Sequence, residues 1–173
     1  MQALTFWKTV TMDKQNLLER LISFFADHEI SYCVIGGQAI NAYVEPLVSL
    51  DLDLVIASDQ LEMVTSLLMQ NFNTKRFEHS LNVSVDGSDL RVQIQLDQRY
   101  SSFPERAEYR EVLGLTMPVA SLDDLLSGKI WAVKDIARRS SKRQKDLADI
   151  SRLLEVYPFL REKVPEDILS RLF

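Results

Sequence analysis

A strand-like run that carries two aspartates one residue apart constrains the fold and chemistry of this chain more than any other segment. Asp51 and Asp53 alternate with Leu50, Leu52 and Leu54. Alternate side chains of a strand point to opposite faces, so the acids share one face and the leucines face a core. Neighbouring carboxylates repel each other unless a cation joins them, and Mg²⁺ binds through one or two carboxylates plus substrate phosphates. On its own, the doublet is equally well explained as a half-exposed strand end with two solvated acids.

Composition and charge narrow the class of protein. The chain has 173 residues, of which 46% are hydrophobic and 26% charged, as in ordinary globular domains. Its net charge of −5 excludes a generally cationic surface, so contact with a polyanion needs a local basic patch. The single cysteine, Cys33, excludes an internal disulfide and favours a reducing compartment. Residues 1–12 lack a secretory pattern and no apolar run is long enough to span a membrane, so we expect a cytoplasmic protein without a membrane partner.

Hydrophobic periodicity and turn residues predict an α/β (α+β) fold. The predicted helices cover residues 13–28, 38–44, 58 or 59 to 70, 121–138 and 141–157, with a last short helix near Pro165. The predicted strands cover residues 32–35, 50–57, 75–78, 81–85, 90–96 and an edge strand at 117–120 that contains Pro118. We expect a mixed sheet with flanking helices over residues 1–120. A helical C-terminal third over residues 121–173 is expected to pack on this core within one domain.

Two glycines, Gly36 and Gly37, lie where the first predicted strand ends and a short helix begins. Glycines at such a point let the backbone approach a ligand closely, and the free N–H groups of a helix N-terminus attract anions. A tight strand-to-helix turn explains the pair equally well. The pair is neither a dinucleotide-binding fingerprint, which needs a third glycine, nor a Walker loop, which needs Gly-Lys followed by Ser or Thr.

The order of these motifs resembles the nucleotidyltransferase superfamily of the DNA polymerase β type. VIGGQA at residues 34–39 precedes SLDLDL at residues 49–54, as in minimal members such as the AbiEii-type toxins of toxin–antitoxin systems. The second half adds ASLDDLL at residues 120–126, then Lys129, then KDLADI at residues 145–150. The resemblance therefore extends over most of the chain and implies a nucleotidyltransferase-like mixed sheet.

The resemblance also implies an activity and a set of site residues. The activity is Mg²⁺-dependent transfer of a nucleotidyl group from an NTP to a hydroxyl of RNA, a protein or a small molecule, in a protein that can have a cognate antitoxin as partner. Asp51 and Asp53 would hold the metal. The implied catalytic residues are Asp51, Asp53, Lys129 and Asp146. The implied nucleotide-binding residues are Gly36, Gly37, Gln38, Ser49, Gln93 and Lys129.

Two charged residues on the predicted C-terminal helices point inward. Lys129 lies in the middle of the apolar arc of its helix, and Asp146 lies inside the apolar arc of the next. A lysine in that position must find an anion or extend its amine to solvent. Lys129 and Asp146 can pair for structural reasons alone. The resemblance instead implies that Lys129 contacts phosphate and that Asp146 helps to orient or deprotonate the acceptor. Asp149, at the edge of the apolar arc, is a weaker candidate for a catalytic residue.

Two positions depart from the pattern of active relatives. The strand after the hairpin carries Gln93 where a third carboxylate is expected, and Asp97 is four residues further on the same face, about 13 Å away along a strand. Leu47 occupies a position where related sequences have arginine, whereas Ser49 keeps the hydroxyl of their threonine. An amide is a poor Mg²⁺ ligand and cannot act as a base, so Gln93 weakens the expectation of catalysis.

A basic cluster spans the joint between the last two long helices, and consists of Arg138, Arg139, Lys142, Arg143 and Lys145. It is either a solvated connection or a contact for triphosphate or an RNA backbone.

Three functions remain open at this point: an active nucleotidyltransferase, a catalytically impaired member that binds nucleotide or regulates a partner, and a domain without a ligand. The third predicts a buried Lys129–Asp146 pair and Asp51 and Asp53 diverging into solvent, and a closed surface over Gly36 would favour it.

Overall fold

A computed structural model describes residues 3–172 of the chain. Met1, Gln2 and Phe173, at the outer ends of the predicted core and C-terminal segments, lie outside these residues. The helices are α1 (Ala3–Val10), α2 (Leu17–Asp27), α3 (Gly36–Asn41), α4 (Leu61–Asn71), α5 (Leu122–Lys134), α6 (Ser140–Val156) and α7 (Glu166–Leu169). The strands are β1 (Tyr32–Ile35), β2 (Asp51–Ile56), β3 (Asn73–Arg76), β4 (Ser80–Ser84), β5 (Arg91–Gln95), β6 (Glu108–Val112) and β7 (Leu115–Val119). Short 3-10 helices lie at Gln98–Tyr100, Phe103–Arg106 and Pro158–Lys163.

The strands form one sheet of mixed direction in the order β3-β4-β5-β2-β1-β7-β6. β2 pairs in parallel with β5, and β1 with β7, while the remaining neighbours are antiparallel. The expected mixed α/β fold with a helical C-terminal region is confirmed. β2 lies at the centre of the sheet, so the aspartate pair is held by hydrogen-bonded strands on both sides.

The side chains of β2 alternate between the hydrophobic core and the opposite face of the sheet, as the sequence predicts. Leu52 and Leu54 are buried in the hydrophobic core, whereas Asp51 and Asp53 are half-buried on the opposite face. At about 25 cal/mol per Å² of apolar surface, such burial supplies most of the favourable free energy of folding. It also fixes the register of β2, because a slip of one residue would bury both acids.

The edge-strand prediction at residues 117–120 is wrong. β7 lies between β1 and β6, and Pro118 is the Cα partner of Tyr109 in β6. The edge strand on this side of the sheet is β6, in the polar stretch for which the sequence predicts no element. Only Val112 of its five residues is buried, so β6 lacks the apolar alternation by which strands are recognised.

Polar side chains set the ends of two helices. The predicted helix from Asp13 begins at Leu17, because the buried Asp13 carboxylate accepts a 2.9 Å hydrogen bond from the Leu17 N–H. Ser121 caps α5 by accepting a hydrogen bond from the Asp124 N–H at 3.2 Å. The Asp124 carboxylate accepts hydrogen bonds from the Arg106 guanidinium at 2.9 and 3.0 Å. No helix within residues 3–172 is both long and apolar enough to cross a membrane.

Cys33 gives a direct test of the packing of β1. Its thiol is fully buried, and burial, reinforced by the nearby Asp124 carboxylate, raises its pKa from 9.0 to about 12. We expect native protein at pH 8.5 to react with a thiol reagent at least about a hundredfold more slowly than protein in denaturant. The pKa of the Cys33 thiol is higher in the folded protein than in the unfolded protein. Ionisation of this thiol therefore has no effect on the free energy of unfolding below pH 9, and it lowers that free energy as pH rises toward 12. Fast labelling of the native protein would contradict this packing.

Candidate active site

A cavity of about 390 Å³ opens where the carboxyl end of β1, the start of β2, the strand β5 and helices α5 and α6 meet. Its walls include Gly36, Gly37, Asp51, Asp53, Gln93, Lys129 and Asp146. Three separate segments of the chain therefore bring a glycine turn, carboxylates and an ammonium group into one space. The surface over Gly36 is open, so it lacks the closure that would favour a domain without a ligand.

Gly36 is the residue that lets the β1–α3 turn lie against the aspartate pair. It has a φ of +70°, and a Cβ atom at this position would overlap Oδ2 of Asp53. Gly37 has no atom within 4 Å of an equivalent Cβ. The two glycines thus have different reasons to be present: the first needs its conformation and close approach to Asp53, and the second leaves the cavity open.

Substitution of the two glycines separates these effects. Gly36→Ala is expected to lower the free energy of unfolding by about 1–3 kcal/mol, since it combines a positive φ with displacement of the Asp53 carboxylate. Gly37→Ala, the matched control, should be within about 1 kcal/mol of the parent. Urea unfolding of both variants measures the difference. Equal stability of the two variants would show that the turn does not have this geometry.

Asp51 and Asp53 differ in their surroundings. The Asp51 carboxylate forms an ion pair with the Arg91 guanidinium, with 2.7 Å between Oδ1 and Nε. Desolvation raises the pKa of Asp53 from 3.8 to about 6; the charge of Lys129 opposes the rise, and the charge of Asp51 adds to it. Asp53 is therefore a carboxylate that would gain from a nearby cation.

Gln93, the residue that the sequence aligns with a third carboxylate, lies beside Asp53. In the parallel β2–β5 ladder it is the Cα partner of Asp53, and it lines the cavity. Asp97 does not substitute for it, because its carboxylate caps a 3-10 turn and binds the Arg99 guanidinium at 2.7 Å. The pairing places Gln93 directly beside Asp53, and its correspondence to the third carboxylate of active relatives stays a prediction.

The aspartate pair fits a divalent cation that arrives with phosphates. The two carboxylates occupy successive outward positions of β2, face the cavity and are half-buried. Residues 3–172 contain no cluster of three or more His, Cys, Asp or Glu side chains arranged to hold a metal. A donor set of this kind suits Mg²⁺ completed by phosphate and water oxygens, and it does not suit a metal held by protein alone. The metal assignment remains a prediction.

Lys129 and Asp146 form part of a larger charge network. The Lys129 ammonium lies 2.9 Å from Asp146 and 2.7 Å from Asp149, and Asp146 also binds Arg138 at 2.6 Å. Burial opposes the charge of Lys129, but Asp149 and Asp146 outweigh it, so its pKa is raised. Asp149, the weaker candidate by sequence, is as close a partner of Lys129 as Asp146. Their roles in catalysis remain predictions.

A second network, which the sequence did not indicate, joins α6 to the segment before β2. Arg152 binds Asp149 at 2.9 Å and also donates to Asn41 Oδ1 at 2.9 Å and to the Glu45 carbonyl at 2.7 Å. Asn41 in turn donates to the carbonyl of Leu47 at 2.7 Å and accepts from its N–H at 3.0 Å. These bonds hold the irregular segment that leads into the aspartate strand.

The remaining predicted residues divide between the cavity and its support. Ser49 lines the cavity, whereas the buried Gln38 lies behind it and donates to the Ser49 carbonyl at 3.0 Å. Of the basic cluster, Arg138, Lys142 and Lys145 line the cavity, whereas Arg139 and Arg143 are absent from the lining. Lys142 and Lys145 are exposed on one side of α6, so the cluster includes a local cationic wall.

The fold and this cavity define a domain of the nucleotidyltransferase type. A family model described as the nucleotidyl transferase AbiEii toxin of a type IV toxin–antitoxin system matches residues 17–173. The chain therefore belongs to the AbiEii nucleotidyltransferase toxin family, as the order of its motifs predicted. None of the curated protein sequences matches the chain.

Solved structures share the fold at low sequence identity. ANT(2″)-Ia in complex with adenylyl-2″-tobramycin is similar with a TM-score of 0.64 and 12% identity, over 91% of this chain and 97% of that one. An antigenic nucleotidyltransferase-like protein from Paracoccidioides brasiliensis has a TM-score of 0.57 and 18% identity, over 96% and 85%. The lincosamide antibiotic adenylyltransferase LnuA, lincomycin-bound, has a TM-score of 0.53 and 10% identity, over 83% and 99%. At these identities the likeness shows the fold alone.

Proposed function

We propose that the protein is an active, Mg²⁺-dependent nucleotidyltransferase that moves a nucleotidyl group from an NTP to a hydroxyl acceptor. The observation that carries the proposal is that Asp51, Asp53, Lys129 and the Gly36 turn line one cavity. Membership of a nucleotidyltransferase toxin family supports the reaction class. The fold by itself would not, since one fold hosts many functions.

Each part of the cavity has a role in this reaction. The Gly36–Gly37 turn admits the triphosphate, and Lys142 and Lys145 neutralise its charge. Asp51 and Asp53 hold Mg²⁺, which supplies charge neutralisation and polarisation of the phosphoryl oxygens when it is bound. Lys129 keeps a fixed positive charge beside Asp53, and Asp146 and Asp149 orient it.

The transfer itself is a displacement at the α-phosphorus. The acceptor oxygen bonds to that phosphorus, the bond to the bridging oxygen of the β-phosphate breaks, pyrophosphate leaves and the hydroxyl proton is released. The acceptor is RNA, a protein or a small molecule. The family supports a toxin role, and a cognate antitoxin is the partner that such a role implies.

A transfer assay tests the proposal. Protein is incubated with Mg²⁺ and each NTP labelled at the α-phosphate, in the presence of bulk RNA, protein extract or small-molecule extract. We expect label to become attached to one acceptor class and pyrophosphate to be released in equal amount. Asp51→Ala/Asp53→Ala is the inactive control. Absence of labelled product in every arm, with folded protein, would contradict the proposal.

A second candidate function is nucleotide binding without transfer. Gln93 beside Asp53 and Leu47 in place of a charged residue favour it. It predicts Mg²⁺-dependent NTP binding by the parent protein without labelled product, and transfer gained by Gln93→Asp. Labelled product from the parent protein would exclude it.

A further inference from the structure

The number of carboxylates available to a metal is smaller than the number of acids around the cavity. Five aspartates line it: Asp51, Asp53, Asp124, Asp146 and Asp149. In a two-metal site, two ions about 3.5–4 Å apart bind the attacking and the leaving oxygen. Such a site needs enough carboxylates to hold both ions. Of the five aspartates, those that are not held in buried ion pairs are able to act as metal ligands.

Four of the five aspartates form ion pairs with cations of the chain, and in three of these, which exclude the exposed pair of Asp51 with Arg91, the carboxylate is largely buried. Asp124 is held by Arg106 through two hydrogen bonds of 2.9 and 3.0 Å. Asp146 is 1% exposed and lies between Lys129 and Arg138. Asp149 binds Lys129 at 2.7 Å and Arg152 at 2.9 Å. Freeing Asp146 or Asp149 would leave Lys129, a largely buried cation, with one partner fewer, which costs several kcal/mol.

The strand β5, next to β2, adds no further carboxylate. Gln93, the Cα partner of Asp53, is neutral, and Gln95, two residues on, accepts a hydrogen bond from the Asp97 N–H. Among the described residues Asp53 forms no ion pair, and the pair of Asp51 with Arg91 is exposed and therefore weak, so Asp51 and Asp53 are the carboxylates available to a metal. They suffice for one Mg²⁺ that shares its coordination with phosphates.

Lys129 supplies positive charge to the same cavity, because its side chain lines that cavity together with Asp51 and Asp53. The ammonium is held in place by two carboxylates, so it cannot leave with product as a metal ion can. It therefore compensates the negative charge at Asp53 that would otherwise favour a second divalent ion.

We propose that this site binds a single divalent cation, the one that arrives with the NTP, and that Lys129 stands in for a second. The proposal rests on the nucleotidyltransferase function proposed above and specifies its metal content. It follows that no second ion activates the acceptor hydroxyl, so the residues around Lys129 must orient it. The missing acid at Gln93 is then a property of a one-ion site and not a sign of lost function.

Counting bound Mn²⁺ tests the proposal without any activity measurement. The protein is dialysed to equilibrium with Mn²⁺ and an NTP analogue that has a methylene bridge between the α- and β-phosphates. Metal, analogue and protein are then measured on both sides of the membrane. Electron paramagnetic resonance of the same samples detects coupling between two Mn²⁺ ions that lie close together.

The expected result is one Mn²⁺ and one nucleotide per chain, with no spin coupling. Gln93→Asp should bind a second, coupled Mn²⁺, whereas Gln95→Asp, which adds the same charge two residues further along β5, should keep one. Melting temperatures confirm that the variants are folded. Two coupled ions in the parent protein would overturn the one-ion proposal and leave the transferase function standing. Absence of bound nucleotide and metal would overturn the proposed function itself.

Discussion

Asp53→Asn should lose nucleotidyl transfer while making the metal-free protein more stable at neutral pH. Loss of a metal-binding carboxylate is expected to lower the transfer rate by more than about a hundredfold, since loss of groups that only support a metal ligand costs 10–100-fold. The stability change has the opposite sign, because burial raises the pKa of Asp53 to about 6. A carboxyl group whose pKa is raised by folding makes its least favourable contribution to stability when it is ionised.

The pH dependence of this gain has a defined window. The unfavourable contribution of Asp53 is absent below pH 3.8 and grows as pH rises to about 6. Asp53→Asn should therefore raise the free energy of unfolding by about 2 kcal/mol at pH 7.5, and by almost nothing at pH 4.

Chemical denaturation in EDTA at both pH values measures the gain, together with the transfer assay. Asp51→Asn is the control: its ion pair with Arg91 is largely exposed, so it should lose transfer with less than about 1 kcal/mol change in stability. A pH-independent effect of Asp53→Asn would contradict the stated environment of this carboxylate.

Asp146→Ala should be the most destabilising change in the charge network. Its carboxylate is buried between Lys129 and Arg138, so removal leaves two cations with one partner fewer, at a cost of about 3 kcal/mol. Lys129→Met should cost less than about 1.5 kcal/mol, because Asp146 keeps Arg138 and Asp149 keeps Arg152. The same lysine change is nevertheless expected to lose transfer.

Unfolding free energies of the two single variants and of the double variant give the coupling between the residues. We expect Asp146→Ala to have a lower free energy of unfolding than Lys129→Met, and we expect the lysine variant to be folded and inactive. If Lys129→Met is the less stable of the two, the lysine has a mainly structural role, and the alternative of a purely structural pair gains support.

Local patterns in the sequence predicted the parts of the site that local patterns govern. The alternation of Asp51 and Asp53 with leucines gave the cavity face of β2, because the register of a strand follows its buried side. The position of Lys129 and Asp146 on apolar helix arcs likewise predicted that both point inward and can pair, as they do at 2.9 Å. In each case burial within one element decides the direction of the side chain.

Such local patterns could not predict contacts between segments that are distant in the sequence. Arg152 and Asn41 are 111 residues apart and meet only because α6 packs beside α3. The polar edge strand β6 has a single buried residue, Val112, so its place beside β7 depends on pairing and not on its own composition. The misplaced edge at Pro118 has the same origin, since the rule for proline considers one strand without its neighbours.

Isothermal titration of the parent protein and of Asp53→Asn with a non-transferable NTP analogue tests the central claim most directly. That claim is that the cavity between β2 and α5 binds NTP through Mg²⁺ held by the aspartate pair. We expect one analogue to bind per parent chain with Mg²⁺ present, and binding to weaken by more than about a hundredfold in EDTA or in Asp53→Asn. Equal binding by the two proteins, or no binding by the folded parent protein, would contradict the claim.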